Sequence, residues 1–173
     1  MIDEKAEFKS INIAVLTISD TRNKDTDKSG SYLYNVILEK KHFCPFHEVI
    51  KDDVDLITKN ILDLSHKNEI HVIITTGGTG LTGRDNTIDA VKSIADLEIP
   101  GFGELFRNIS YKKIGTSAIQ SRSSAFLINN TYIFCLPGAS SAVKDAWSEI
   151  LFYQLDIRHK PCNFIELIPR LDE

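Results

Sequence analysis

Long apolar runs are missing from this sequence. No stretch approaches the roughly 18 consecutive apolar residues that a membrane-spanning helix requires. The first ten residues hold charged side chains from Asp3 to Lys9, without the apolar centre of a signal or transit peptide. We therefore expect a cytoplasmic protein that makes no contact with a membrane.

An excess of basic residues is missing too. The 20 Lys and Arg residues are outnumbered by 24 Asp and Glu residues, so the formal net charge is -4 and the pI is near 5.7. A nucleic-acid-binding surface would need a stripe of basic side chains, and the sequence contains none. We therefore expect no nucleic-acid partner.

Cysteine and histidine are sparse, and neither is arranged as a set of metal ligands. Cys44, Cys135 and Cys162 are odd in number and far apart, unlike the paired cysteines of a zinc site or a disulfide framework. The five histidines form no pair on one helical face. The pattern favours buried free thiols and argues against a histidine-based metal site.

The remaining composition is that of a globular protein. Of the 173 residues, 42% are hydrophobic and 25% are charged, which matches an ordinary soluble domain. A chain of this length can bury roughly two thirds of its unfolded surface. We expect a single domain over residues 1–173.

The most informative stretch runs from Ile70 to Asp85. His71–Thr76 is a run of mostly β-branched residues, typical of a strand buried on both faces, and it ends at the glycine loop Gly77–Gly80. Asp85 and Thr87 are capping residue types, and apolar residues at helical spacing follow them. The predicted order is strand, glycine loop, helix.

In open α/β sheets this order creates a binding place for anions, because backbone N–H groups and a helix N-terminus meet at the carboxyl end of a strand. An ordinary turn that uses glycine for positive φ is the alternative. Asp85 beside the loop favours the first interpretation, since a cation could bridge a carboxylate and a bound anion. The loop is neither a Walker A motif nor the Gly-x-Gly-x-x-Gly fingerprint.

Two further strands are predicted before this loop. Ile11–Ser19 is apolar enough for a central strand and ends in polar residues through Arg22, after which Ser29 can cap a helix. Phe43–Ile50 leads into Asp52 and Asp53, which precede an amphipathic helix. Asp53 has the position of the cap. The other aspartate is either a solvated neighbour, as is usual for adjacent aspartates before a helix, or a metal ligand in the crevice.

The second half of the chain predicts one more strand, glycine, helix transition. Ser121 and Arg122 form either a plain loop or a phosphate contact. The predicted elements are a helix over Phe102–Lys113, a short strand over Ile114–Ile119, a hairpin or two adjoining strands over Ala125–Ile128 and Tyr132–Leu136, a helix from Val143 to Leu151, and an extended tail from His159 to Glu173.

Alternating strands and helices predict an α/β fold: a three-layer, doubly wound, mostly parallel central sheet with helices on both faces. Polar strand ends would then lie along one edge of the sheet. They are Ser19–Arg22, Asp52, Gly77–Asp85 and Pro137–Ser141. This arrangement predicts a site for an anionic ligand.

Several of these motifs together resemble the MoaB/MogA family of molybdenum cofactor biosynthesis. The resemblance covers nearly the whole chain, from Ile11 to Phe164, and its motifs occur in the family's order. They are Thr76-Gly77-Gly78-Thr79-Gly80 with Arg84-Asp85, Gly101-Phe102-Gly103-Glu104, Ser121-Arg122 and Leu136-Pro137-Gly138. The element Ile114–Ser117 and the tail Pro161-Cys162-Asn163-Phe164 make the chain more similar to the MoaB branch.

The resemblance implies adenylylation of molybdopterin by ATP with Mg²⁺, which yields adenylyl-molybdopterin and pyrophosphate. By position, Asp52 and Asp85 are similar to the family's essential aspartates and would bind the metal, although Lys51 stands where the family often has Pro. Thr79 and Ser110 would lie near the terminal phosphate of the pterin. The other implied substrate-binding residues are Ser19, Asp20, Arg22, Gly77, Gly78, Gly80, Ser121, Arg122, Pro137 and Gly138.

Two alternatives to this activity remain open. One is a protein that binds or transports molybdopterin without adenylylating it, and the other is a nucleotide-binding fold with a different substrate. Turnover with ATP separates the first from the enzyme. Dependence on the pterin separates the second.

The resemblance also implies a homotrimer or hexamer and other proteins of the same pathway as possible partners. The sequence supports self-association with large apolar groups predicted outside the sheet, although these groups could instead cover the domain's own core. They are Phe102, Phe106, Tyr111, Phe126, Phe152, Tyr153, Phe164, Ile165, Leu167 and Ile168.

Overall fold

The computed structural model describes all 173 residues, and a six-stranded sheet lies at its centre. The strands are β1 (Ile13–Ile18), β2 (His47–Ile50), β3 (Val72–Thr76), β4 (Leu97–Ile99), β5 (Ser124–Ile128) and β6 (Thr131–Leu136), in the spatial order β2-β1-β3-β6-β5-β4. β2, β1, β3 and β6 pair in parallel, whereas β5 is antiparallel to both β4 and β6. Only β5 therefore runs against the other strands, and the predicted α/β fold is confirmed.

Helices cover both faces of the sheet. They are α1 (Lys28–Glu39), α2 (Val54–Ser65), α3 (Thr87–Ser93), α4 (Pro100–Ile114), α5 (Ser140–Ala146), α6 (Phe152–Gln154) and α7 (Phe164–Leu167). A 3₁₀ turn (Gly115–Gln120) extends α4, a π turn (Trp147–Leu151) joins α5 to α6, and a second 3₁₀ turn (Ile168–Arg170) follows α7. No helix has both the length and the apolar character needed to span a bilayer.

Strand β1 shows why the sheet is buried on both faces. Ile13 and Val15 belong to the core beneath α1, α4 and α5, whereas Ala14 and Leu16 belong to the core beneath α2 and α3. Alternate residues of a strand point to opposite faces, so a continuous apolar run supplies both cores. This is the physical basis of the prediction from Ile11–Ser19.

The caps of α1 and α2 differ in how well the sequence predicted them. Asp53 caps α2 as expected, because its Oδ1 accepts the N–H of Leu56 at 2.9 Å. The prediction for α1 was wrong: Asp27 is the cap and accepts the N–H of Gly30 at 2.9 Å. Ser29 lies within the first turn, and its hydroxyl donates to the carbonyl oxygen of Gly138 at 3.0 Å.

Two strand predictions were wrong around α4. Ile114–Ile119 is not a strand, because α4 runs through Ile114 and tightens into the 3₁₀ turn; the β-branched residues of this segment imitate strand composition. The three-residue strand β4 was missed, since it is short and Pro100 directly follows it. That proline occupies the first position of α4, where no N–H is needed.

The strand predicted over Phe43–Ile50 is shorter than expected. Pro45 has no N–H for the ladder, so Phe43 forms a single bridge to Asn12 and regular pairing begins at His47. The hairpin alternative for β5 and β6 is confirmed. Asn129 and Asn130 have φ of 48° and 61°, the positive values that a two-residue hairpin turn requires.

The sequence analysis expected an extended tail from His159 to Glu173, but the structure shows the short helix α7 there. Asn163 caps α7 by accepting the N–H of Glu166 at 2.9 Å, and Ile165 is fully buried. The Phe164 ring lies 4.8 Å from the ring of Tyr132 and 5.4 Å from that of Phe134. Pro161 and Pro169 favoured the prediction of extended chain, but the short helix between them packs on the domain's own core.

Candidate functional site

A crevice with a volume of about 510 Å³ opens at the carboxyl ends of β1, β3 and β6. Parallel strands bring their carboxyl ends to one edge, so polar residues from distant parts of the chain meet there. The predicted site residues that line it are Ser19, Arg22, Gly77, Gly78, Thr79, Gly80, Asp85, Ser110, Ser121, Pro137 and Gly138. Asp20, Asp52 and Arg122 lie next to these residues without lining the crevice.

The glycine loop needs its first two glycines. Gly77 and Gly78 have φ of 108° and 63°, values that side chains rarely tolerate. A Cβ at Gly77 would collide with the carbonyl oxygen of Ile18, and one at Gly78 would collide with the Thr87 hydroxyl and lie 2.7 Å from Oδ2 of Asp52. The loop therefore packs too closely on β1 and α3 for any larger residue.

The loop is held through its carbonyl groups. Thr87 donates its hydroxyl to the Gly77 oxygen at 3.0 Å and its N–H to the Gly78 oxygen at 3.1 Å. The N–H groups of Gly78 and Thr79 donate no hydrogen bond within the protein. A buried or half-buried N–H normally has a partner, so these two donors are available to an anion in the crevice.

Asp52 is positioned by Asn86 and Asp20. Its Oδ1 accepts the N–H of Asn86 at 3.1 Å, the amide of Asn86 returns a bond to the Asp52 carbonyl at 3.2 Å, and the N–H of Asp52 donates to Asp20 at 3.2 Å. Burial raises the pKa of Asp52, and the charges of Asp20 and Asp85 raise it further. A cation near these carboxylates would relieve their repulsion.

The sequence predicted that Asp85 would cap α3, but Asn86 occupies the N-cap position. Oδ2 of Asp85 instead accepts the hydroxyl and the N–H of Thr82, at 2.7 and 2.9 Å. The hydroxyl of Thr82 is the main group that lowers the pKa of Asp85, and Arg122 contributes. Asp85 is therefore a carboxylate that stays ionised at the rim of the crevice.

The carboxylates suit Mg²⁺ only in an open arrangement. No group of three or more His, Cys, Asp or Glu side chains converges as a metal site. Mg²⁺ is commonly held by one or two carboxylates together with substrate phosphates and water. Asp52 lies beside Gly78 and Asp85 beside Gly80, and they fit that pattern because they are hard oxygen donors close to the unpaired N–H groups of the loop.

Arg22 is the basic side chain that lines the crevice. Its backbone N–H donates to the Ser19 hydroxyl at 3.2 Å, and its guanidinium donates to the Gly138 carbonyl at 3.2 Å. Because Ser29 donates to the same carbonyl, the turn after β6 is fixed from α1 as well as from the loop after β1. Positive charge therefore faces the glycine loop across the crevice.

Hydroxyl groups and an apolar wall complete the crevice. Thr79 and Ser110 are both buried, with 4% and 8% of their surface exposed. The sequence analysis missed Ser117 and Gln120 as lining residues. Ser117 lay in the segment Ile114–Ile119, which was assigned to a strand, and Gln120 followed that segment; the small polar run Gly115–Ser117 was the available signal. The apolar lining residues include Ile18, Phe106, Ile114, Ala118 and Ala142.

Arg122 lies behind the loop instead of on the crevice surface. Its side chain donates to the carbonyl oxygens of Gly80 and Asp85 and pairs with the Asp89 carboxylate at 2.8 Å. All three guanidinium nitrogens are thus engaged by the protein. The predicted direct contact between Arg122 and a phosphate stays a prediction, and the contacts in the structure point to another role.

The fold and the crevice together define a class: doubly wound α/β proteins with a polar crevice at the carboxyl edge of the sheet. A family model described as "Probable molybdopterin binding domain" matches residues 14–157. The chain belongs to this family, the MoaB/MogA family of molybdenum cofactor biosynthesis proteins, as the motifs indicated.

Individual relatives agree with this assignment. The Molybdenum cofactor biosynthesis protein B of Bacillus cereus is 43% identical over 153 residues, which are 88% of this chain and 90% of that protein. The protein of the same name from Escherichia coli (strain K12) is 38% identical over 164 residues, which are 95% of this chain and 96% of that protein. Both names match the MoaB branch.

Solved structures give the same result. A crystal structure of a Molybdenum cofactor biosynthesis protein B has a TM-score of 0.82 and 43% identity, and the match covers 85% of this chain and 92% of that one. The tungsten cofactor synthesizing protein MoaB from Pyrococcus furiosus has a TM-score of 0.75 and 33% identity, with 83% and 92% covered.

Proposed function

We propose that this protein is a Mg²⁺-dependent molybdopterin adenylyltransferase, which converts molybdopterin and ATP into adenylyl-molybdopterin and pyrophosphate. The observation that best supports the proposal is the pair of unpaired N–H groups at Gly78 and Thr79 in a crevice that Arg22 also lines. These N–H donors suit phosphate groups. Because the chain belongs to a family described as a probable molybdopterin binding domain, we expect molybdopterin as the phosphorylated substrate.

The reaction needs no nucleophile from the protein. An oxygen of the terminal phosphate of molybdopterin forms a bond to the α-phosphorus of ATP, the bond from that phosphorus to the bridging oxygen breaks, and pyrophosphate leaves. Two anions must approach each other, so catalysis consists of alignment and charge neutralisation. This explains a site made of glycines, hydroxyls and carboxylates without a catalytic triad.

The residues divide this work between them. The N–H groups of Gly78 and Thr79 and the hydroxyls of Thr79 and Ser110 would hold the pterin phosphate, while Arg22 would balance its charge. Asp52 and Asp85 would hold Mg²⁺, which supplies charge neutralisation between the phosphates when it is bound.

A pyrophosphate-release assay with purified protein tests the proposal. Release that requires ATP, molybdopterin and Mg²⁺ together, and that stops on addition of EDTA, is the expected result. Tight binding of molybdopterin without pyrophosphate release would instead identify a carrier. Nucleotide binding without any effect of the pterin would indicate a different substrate and overturn the proposal.

A further inference from the structure

The glycine loop and the segment after the 3₁₀ turn are joined by one residue. Nε of Arg122 donates to the Gly80 oxygen at 2.8 Å, and a terminal nitrogen of the same guanidinium donates to the Asp85 oxygen. The backbone N–H of Arg122 donates to the Thr79 oxygen at 3.1 Å. Three carbonyl groups of the segment from Thr79 to Asp85 therefore converge on Arg122.

These contacts need the geometry of arginine. A planar guanidinium presents its donors in a fixed fork, so one side chain can bond the two ends of a loop at once. Lysine has the same charge but a single ammonium group, which cannot reach both carbonyl oxygens with that geometry. Charge alone would thus not hold the loop between Gly80 and Asp85 closed.

The ion pair of Arg122 contributes less than its carbonyl contacts. Nη1 of Arg122 pairs with Asp89 on α3, but 70% of the Asp89 side chain is exposed, compared with 30% of the Arg122 side chain. Exposed ion pairs contribute little because water screens them. Asp89 therefore offers a matched variant that removes one partner of Arg122 and leaves the loop contacts in place.

Arg122 is itself fixed from the opposite wall of the crevice. It lies between the 3₁₀ turn, which supplies Ser117 and Gln120 to the lining, and strand β5. Arg107 of α4 donates to the Ser123 carbonyl at 3.0 Å and so anchors this segment. The guanidinium of Arg122 thereby connects this segment to the loop between Gly80 and Asp85.

We propose that Arg122 is a positioning residue, which holds the Thr79–Asp85 loop so that the N–H of Thr79 and the carboxylate of Asp85 face the same ligand. We call these contacts of Arg122 with the Thr79, Gly80 and Asp85 carbonyl oxygens the clamp. The effect of the clamp on catalysis rests on the proposed function, whereas its effect on the loop does not. The clamp assigns Arg122 an indirect role in place of a direct phosphate contact.

Hydrogen exchange followed by mass spectrometry tests the clamp without reference to activity. We expect faster exchange in the peptide covering residues 78–87 in Arg122→Lys and Arg122→Ala, and wild-type exchange in Asp89→Ala. Wild-type exchange of this peptide in both Arg122 variants would overturn the proposal. Arg122→Lys keeps the charge and most of the stem, so it remains informative if the alanine variant folds poorly.

Kinetics of pyrophosphate release test the consequence for catalysis. We expect Arg122→Lys to raise the Mg²⁺ concentration for half-maximal rate, or to lower kcat, by about 10- to 100-fold, as for residues that orient a ligand. Asp89→Ala should stay within about threefold of the wild type, since an exposed ion pair contributes little. A purely structural role would lower thermal stability and leave both kcat and the Mg²⁺ dependence of the folded protein unchanged, which would contradict the proposal.

Chemical rescue distinguishes positioning from loss of fold. Guanidinium ions at non-denaturing concentration should partly restore Arg122→Ala, whereas ammonium ions should not, because only the planar fork bonds both carbonyls. Equal responses to both ions would contradict the clamp. A wild-type protein without pyrophosphate release would refute the proposed function alone, and the exchange experiment would still decide the role of Arg122.

Discussion

Asp85 is the residue on which the proposed chemistry depends most directly. We expect Asp85→Asn to keep the fold, because an asparagine oxygen can still accept from Thr82. It should lower the rate of pyrophosphate release by about 100-fold or more, since the carboxylate charge is lost where charge must be neutralised. The rate at saturating Mg²⁺ is the measurement.

Asp53→Asn is the matched control for this change. It removes the same charge close to the crevice, but Asp53 caps α2 and asparagine is an equally good cap. The control should therefore keep wild-type activity and stability. Equal rates for Asp85→Asn and the wild type would remove Asp85 from the mechanism.

His42 provides a prediction about stability. Burial lowers the pKa of His42 to about 4, helped by the charge of Lys40 and opposed by a hydrogen bond to Leu155 and the charge of Asp156. In the folded protein the ring is neutral and its Nδ1 accepts the N–H of Ile11 at 3.3 Å. The unfolded chain takes up the proton first as the pH falls.

The stability contributed by neutral His42 is fully present above its unfolded pKa of 6.5 and is lost as the pH falls towards about 4. We expect this residue to account for roughly 3 kcal/mol of the loss in unfolding free energy over that range. Urea denaturation at several pH values measures it. His42→Gln should show a flatter curve than the wild type, and an identical slope would show that His42 does not titrate this way.

At the scale of elements, we expect the connection between β3 and α3 to be sensitive to substitution at Gly78 and tolerant of substitution at Gly83. Gly78→Val should lower the unfolding free energy by about 1 to 3 kcal/mol, because positive φ is strained for a branched residue. It should also abolish binding of molybdopterin, since the side chain meets Thr87 and Asp52. Denaturation and calorimetric titration are the measurements.

Gly83→Val is the control within the same connection. A Cβ at Gly83 meets nothing within 4 Å, so the variant should bind and unfold like the wild type. Normal pterin binding by Gly78→Val would mean that the loop is only a turn. Equal damage from both variants would mean that the whole connection tolerates no change.

The sequence predicted those elements whose local pattern agrees with their tertiary environment. Within the predicted run His71–Thr76, the residues Val72–Thr76 are buried on both faces in the structure, and Gly77 and Gly78 after them have positive φ, so composition and environment coincide. The same holds for the cap at Asp53. The predicted crevice residues lie together in the structure because parallel strands bring their carboxyl ends to one edge of the sheet.

The sequence analysis did not predict the elements whose conformation depends on tertiary packing. Gly115–Gln120 contains residues that suit a strand, but its chain continues from α4 and closes one wall of the crevice. The helix α7 is only four residues long and exists because Ile165 and Phe164 bury against the core. The contacts of Arg122 with the Gly80 and Asp85 carbonyl oxygens could not be predicted either, because a sequence does not reveal which backbone groups a side chain bonds.

At the scale of the whole molecule, the structure changes the argument for self-association. Phe102, Phe106 and Phe126 are buried in the domain's own cores, so three of the aromatic residues that favoured an oligomer do not face outward. An exposed apolar surface remains along α4 and the 3₁₀ turn. It comprises Leu105, Tyr111, Ile114 and Ile119, which are 48%, 60%, 58% and 83% exposed.

We still expect a trimer, or two trimers stacked as a hexamer, because exposed apolar side chains such as Ile119 are commonly covered by association and closed symmetry is usual. Light scattering at micromolar concentration should give a multiple of 19.5 kDa. Ile119→Arg should lower that mass, whereas Leu38→Arg on α1 should not. A monomer of the wild type would refute the prediction.

The reversed direction of β5 has a consequence for how the crevice is assembled during folding. Because β5 begins where β6 ends, Ser121 just before the hairpin and Gly138 just after it both line the crevice. Closing a loop of two residues costs little chain entropy compared with bringing together distant strands. We therefore expect two walls of the crevice to be brought into register by one short-range event, before the slower pairing of β6 with β3 brings them to the glycine loop.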